Sequence, residues 1–156
     1  MQLTSAVFQQ GAEIPSHYTS DGEDASPELS WRDAPAETKS FVLLAHDPDA
    51  PRPGGFTHWV VYNIPPETGH IDDNVPDTEK VSGLGMQGKN DGGKIGYMGP
   101  APPSGTHRYF FRLYALDSTL DVGPRATHKE VESAMRGHVL AQAELMGTYE
   151  RKKRAA

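Results

Sequence analysis

Two carboxylates separated by a proline, Asp47-Pro48-Asp49, follow directly on an apolar run at residues 41–46. Proline fixes its own φ and keeps the preceding residue extended, so this pair is held out of any helix. A second segment, Gly54-Gly55-Phe56-Thr57-His58-Trp59, leads an imidazole into an apolar run from a glycine-rich turn. A third, Gly99-Pro100-Ala101-Pro102-Pro103-Ser104-Gly105-Thr106-His107-Arg108-Tyr109, runs from a stiff Pro/Gly loop into His-x-Tyr. Each piece also has an ordinary reading, since Asp-Pro ends strands routinely and a strand histidine is often a core residue. Taken together they place two acids, two imidazoles and a phenol at the mouths of three strands, where binding groups usually sit. A phosphate-type anion carries only acceptors, so imidazole N–H and phenol O–H donors suit it. A neighbouring carboxylate then holds an imidazole in one tautomer and favours its cation, or receives an ammonium group. The same set could serve as metal ligands or as a histidine acid–base pair.

These groups need a rigid scaffold. Residues 41–46 form a continuous apolar stretch, 57–64 are rich in β-branched and aromatic residues, and 109–116 repeat that pattern, which predicts three central strands. Weaker strands are expected at 3–8, near 29–31 and at 145–149. Alternation puts His58 on one face with Val60 and Tyr62, and Trp59 with Val61 on the other. It likewise groups His107 with Tyr109, Phe111 and Leu113, and Arg108 with Phe110 and Arg112. Thr127-His128-Lys129-Glu130 has capping-box spacing, and Val131, Met135, His138 and Gln142 lie beyond it on one helical face, so a helix is expected over about 127–143. The stretch 67–103 is irregular and Gly/Pro-rich, as expected of chain packed over a site. Within it, Gly83-Leu84-Gly85-Met86-Gln87-Gly88 matches a dinucleotide fingerprint by letters only. Turn residues rather than a helix come after it, so it reads as a loop.

Composition narrows the function classes. The chain has 156 residues, of which 16 are glycine and 13 proline, which favours turns and short strands over a helical bundle. This length suits one domain, 1–150, followed by a basic tail at 151–156. There is no cysteine, so neither disulfides nor thiolate chemistry arise. The net charge of −6 argues against nucleic acid as a partner. No apolar run is long enough for a membrane span, and the first residues, Met1-Gln2-Leu3-Thr4-Ser5, lack a secretory pattern. A cytoplasmic location is the resulting expectation.

The segments Asp47-Pro48-Asp49-Ala50-Pro51, His58-Trp59-Val60-Val61 and Gly99 through Tyr109, in this order, resemble the phosphatidylethanolamine-binding protein family, which includes the Raf kinase inhibitor proteins. Ser26-Pro27-Glu28-Leu29-Ser30-Trp31 resembles the family's early Ser-Pro-x-Leu-x-Trp segment, and Asn74-Val75-Pro76 and Gly147-Thr148-Tyr149 resemble its prokaryotic Raf-kinase-inhibitor-like branch. The resemblance implies a mostly β fold, a sandwich of two antiparallel sheets with a short C-terminal helix and a late strand. It further implies an anion pocket lined by Asp47, Asp49, His58, Pro103, His107 and Tyr109, a cis Ala50–Pro51 bond, no cofactor or metal, and a homodimer. The function expected from it is binding of a small phosphorylated or carboxylated ligand, with no catalytic residue assigned. The alternatives are inhibition of a kinase or protease through a protein surface, and hydrolysis, metal-free or metal-dependent, in the same pocket.

Overall fold

The computed structural model describes residues 1–152, so residues 153–156 of the expected basic tail lie outside the described residues. A three-stranded antiparallel sheet takes the order β1 (Gln2–Thr4), β2 (Leu29–Arg32), β5 (His70–Ile71). A six-stranded antiparallel sheet is built from β3 (Ser40–Asp47), β4 (Phe56–Ile64), β6 (Lys80–Val81), β7 (Gly85–Gln87), β8 (Thr106–Leu116) and β9 (Val139–Glu150). Its order is β6-β7-β4-β3-β8-β9, with β3 at the centre beside β4 and β8. Among the described residues one α-helix, α1 (His128–Met135), and a 3-10 turn at Ser16–Tyr18 complete the fold.

The large sheet is buried on both faces, which is why 41–46 reads as an unbroken apolar run rather than an alternation. Its inner face meets the small sheet, where Phe41, Leu43, Trp59, Val61, Phe111 and Leu113 pack against Leu3, Leu29, Trp31 and Ile71. Its outer face carries Val42, Leu44, Val60 and Tyr62, covered by Leu120, Ala126 and by Val131 and Met135 of α1. The three central strands therefore run where the sequence puts them, with one or a few more residues at their ends.

The helix is shorter than its sequence pattern. Thr127 caps it with the reciprocal Thr127–Glu130 bonds of a capping box, and Val131 and Met135 are buried as expected. It stops at Met135, because Gly137 takes a φ of +82° and His138 N–H closes the turn on the Met135 carbonyl. His138 belongs to that turn, and Gln142 is an exposed residue of β9, a twelve-residue strand paired with β8 over almost its whole length. The inward residues of β9, Ala143, Leu145, Gly147 and Tyr149, alternate as a strand demands, but two are too small to register as apolar signals. Gly147 has to be small. A Cβ there would stand 2.6 Å from Ile14 Cγ1 and 2.8 Å from Phe8 Cε2.

A second departure lies in β4. Ala45 pairs with Trp59 and His46 with Thr57, so one step on β3 matches two on β4 and His58 is the extra residue of a β-bulge. Beyond the bulge the parity reverses. Trp59 and Val61 share one face as predicted, the inner one, but His58 joins them there instead of lying with Val60 and Tyr62, and Thr57 moves to the outer face.

Candidate functional site

The inner ends of β3, β4 and β8 surround a cavity of about 270 Å³. Asp47 ends β3, His58 projects from the bulge of β4, and His107 and Tyr109 stand two residues apart on β8, which puts both on the inner face. The loop 98–103 forms the remaining wall with Met98, Pro102 and Pro103, and Phe56 adds an aromatic side. Three contacts fix that loop. Met98 N–H donates to the His58 carbonyl, Gly99 N–H donates to Asp24 Oδ1 at 2.8 Å, and Pro100 O accepts from Ser20 N–H. Gly99 admits no side chain, since a Cβ would collide with Asp24 Oδ1.

The polar groups have distinct roles. Asp47 is 3% exposed and both its oxygens are occupied: Oδ2 accepts from His107 Nδ1 at 2.6 Å, and Oδ1 accepts the Asp49 N–H at 2.7 Å. His107 is thereby fixed in orientation with Nε2 as its free nitrogen. His58 donates Nδ1–H to the Met98 carbonyl at 2.6 Å, because a carbonyl can only accept, and its Nε2 is likewise left over. Burial holds the His58 imidazole below its usual range, outweighing the Met98 carbonyl and the Asp47 charge, so the ring is kept neutral. Tyr109 is buried beside both rings, with centroids 5.3 Å from His58 and 6.5 Å from His107. Its Oη makes no close hydrogen bond among the described residues and stands beside the Asp47 carboxylate. Burial, with the Asp47 charge adding to it, pushes the phenol far above its ordinary value, so it remains a donor.

The structure thus gathers Asp47, His58, Pro103, His107 and Tyr109 around one cavity, and Asp49 sits outside its lining. Asp49 faces Arg108 on the exposed side of β8, accepting from Arg108 Nε at 2.9 Å, from Arg108 Nη2 at 2.8 Å and from its backbone N–H at 2.9 Å. The Arg108 guanidinium holds the Asp49 carboxyl down at about 2. Its work is to clamp the loop after β3 onto β8. No peptide bond among the described residues is cis, so Ala50–Pro51 is trans, against the expectation from the family resemblance. That turn is closed instead by the Arg52 N–H on the Ala50 carbonyl at 2.8 Å, across Pro51.

A second constellation is not evident in the sequence. On the outer face, His46 Nδ1 and His128 Nδ1 both meet Thr57 Oγ1, at 3.0 and 2.7 Å, and His128 Nε2 reaches Glu132 at 2.9 Å. In the sequence His46 merely closes an apolar run and His128 is one letter of a capping box. The signal that joins them is the bulge, which no spacing rule reveals. Among the described residues no three His, Asp or Glu side chains converge as metal ligands.

Comparison with known proteins gives a consistent picture. Residues 4–150 match the family model described as "Phosphatidylethanolamine-binding protein". A "UPF0098 protein" of Methanothermobacter thermautotrophicus is 52% identical over 151 residues, covering 97% of this chain and 99% of that protein. The crystal structure of a putative phosphatidylethanolamine-binding protein homologue from Chlamydia trachomatis is 42% identical, with a TM-score of 0.86 over 97% of each chain. The structure of YbcL from E. coli, described as a new member of the mammalian PEBP family, is 31% identical, with a TM-score of 0.89 over 97% of this chain and 98% of that one. With residues 4–150 matched by the family model and near-complete coverage by these relatives, this chain belongs to the phosphatidylethanolamine-binding protein family.

Proposed function

We propose that the protein binds a small anion, a phosphate or the phosphorylated or carboxylated headgroup of a larger molecule, in the inner cavity. The observation that carries this reading is Tyr109 Oη, a buried donor without a partner on the wall of a cavity. Leaving such a group unsatisfied costs about 1–3 kcal/mol, so its retention beside an open space points to a bound acceptor. His107 supplies the second donor once protonated, with Asp47 behind it to balance the charge. Neutral His58 offers Nε2 as an acceptor, which fits an anion still carrying one proton. The apolar remainder of the wall, Phe56, Met98 and the prolines, suits the carbon portion of a headgroup.

The test is an NMR titration of histidine and amide resonances with O-phosphorylethanolamine and with inorganic phosphate, in wild type and His107→Ala. Shifts confined to 47–51, 58, 98–103 and 107–109 that disappear in His107→Ala support the reading. Absence of shifts at millimolar ligand would sink it. The Asp47–His107 pair also has the base-and-orienter arrangement of an acid–base catalyst, and release of ethanolamine from the phosphorylated probe during the titration would make the site hydrolytic. For docking to a kinase or protease, Val139 and Leu140 are the large exposed hydrophobics among the described residues, too small a patch to define a partner surface.

A further inference from the structure

The outer face of the large sheet, directly behind the inner cavity, holds a larger concavity of about 560 Å³. The same strand ends build both. His46 and Asp47 leave β3 on opposite faces, and the bulge sends Thr57 outward and His58 inward from β4. Arg52, in the loop between β3 and β4, borders both spaces.

The electrostatics of the outer concavity run against those of the molecule. The chain carries a net charge of −6, yet this one space gathers Arg52, Arg112 and Lys129 with two imidazoles. Its two acids keep their charge, so the cations of the lining exceed them by one, three against two, and both carboxylates are held by bonds of their own: Asp91 Oδ2 accepts the Thr57 N–H at 2.7 Å, and Glu132 accepts from His128. Arg112 is paired with Glu144, but Arg52 and Lys129 have no carboxylate partner among the described residues. Two cations without a carboxylate partner, bordering one cavity, suit an anion by charge complementarity.

The polar chain beneath it has a fixed direction when both rings are neutral. Glu132 can only accept, so His128 carries its proton on Nε2 and presents Nδ1 as an acceptor. The Thr57 hydroxyl therefore donates to His128 and accepts from His46 Nδ1–H. That leaves His46 Nε2 as the far end of the chain, packed against the Gly54–Gly55 turn. Gly55 permits this packing, because a Cβ there would lie 2.9 Å from His46 Nε2 and collide with the Asp47 carbonyl, at a φ of +76°.

We propose that this outer concavity is a second ligand site that takes a phosphate monoester, its phosphoryl group met by Arg52 and Lys129 and its organic body lying on Leu44, Tyr114 and Pro53. The monoester fits better than free phosphate because the space is about twice that of the inner cavity, 560 against 270 Å³, and those three side chains give it a carbon surface. Shared Arg52 ties the two sites together.

The test is a ¹H–¹⁵N and imidazole titration with phenyl phosphate and with inorganic phosphate, on wild type, Lys129→Ala, Arg52→Ala and His107→Ala. Phenyl phosphate is expected to shift His46, Thr57 and the first turn of α1 on a saturation curve of its own. That curve should weaken about tenfold in Lys129→Ala, as for loss of one charge-assisted bond, and persist in His107→Ala. Arg52→Ala should weaken both the outer curve and the inner one. Outer-face shifts that vanish with His107→Ala would overturn the proposal by making them an echo of the inner site. No outer-face shift at millimolar phenyl phosphate would overturn it outright, and equal affinity for inorganic phosphate would overturn the monoester assignment. Loss of inner-site shifts alone leaves the outer curve intact, so the two readings fail separately.

Discussion

Tyr109 separates stability from binding within one side chain. A buried hydroxyl without a partner costs free energy, and its removal with the ring retained costs little packing. Tyr109→Phe should therefore leave the thermal midpoint unchanged or raise it, while affinity for O-phosphorylethanolamine falls about tenfold, the worth of one good hydrogen bond near a charge. A parallel loss of stability and affinity would mean that Oη is satisfied in the free protein. Asp47 behaves in the opposite way: both its oxygens are used inside the wall, so in the proposed site it acts through His107 rather than on an anion. Residue types announce both roles, since acids, imidazoles and a phenol at strand mouths are legible in the sequence. The split between Asp47 and Asp49 is not, because it depends on Arg108 reaching back across the loop to take Asp49 for itself.

At the scale of elements, the central strands are legible because burial on both faces demands continuous apolar runs. β9 is half concealed. Its inward positions include Ala143 and Gly147, the latter small because Ile14 and Phe8 press against it, and smallness is silent in a hydrophobic pattern. Four residues at helical spacing, from Val131 in α1 to Gln142 in β9, make the helix look twice its length, and Gly137 is the signal that ends it. The irregular stretch before the pocket loop is held by two buried amides, Gln87 and Asn90. Gln87 accepts from Trp59 Nε1 at 2.7 Å and donates to the carbonyls of Pro76 at 2.7 Å and Thr78 at 3.0 Å. Gln87→Ala strands all of them in the core and should cost on the order of 3 kcal/mol in urea unfolding. A loss below about 0.5 kcal/mol, the scatter of surface substitutions, would show that the segment is held elsewhere.

Over the whole molecule, the two cavities make stability depend on pH. Burial keeps His58 and His46 below the usual imidazole range, with the neighbouring His128 a second cause for His46. The unfolded chain then binds protons on these rings before the native chain does, starting near pH ~6.5. Their contribution is complete above that value and is lost as pH falls toward the depressed native values. Asp24, raised by burial, works the other way at lower pH. The urea midpoint should accordingly drop between about pH 7.5 and pH 5.5, and the drop should shrink in His58→Gln; a flat midpoint in wild type would contradict it.

The extra residue in β4 also constrains how this chain can vary in length. Because it reverses parity between Gly55 and Trp59, a single-residue deletion there would exchange the tenants of the two chambers, withdrawing an imidazole from one and a hydroxyl from the other. Paired changes of two residues would leave each tenant in its room. Length variants of this short stretch are therefore read in odd and even classes, with loss of both chemistries in the odd class and their retention in the even.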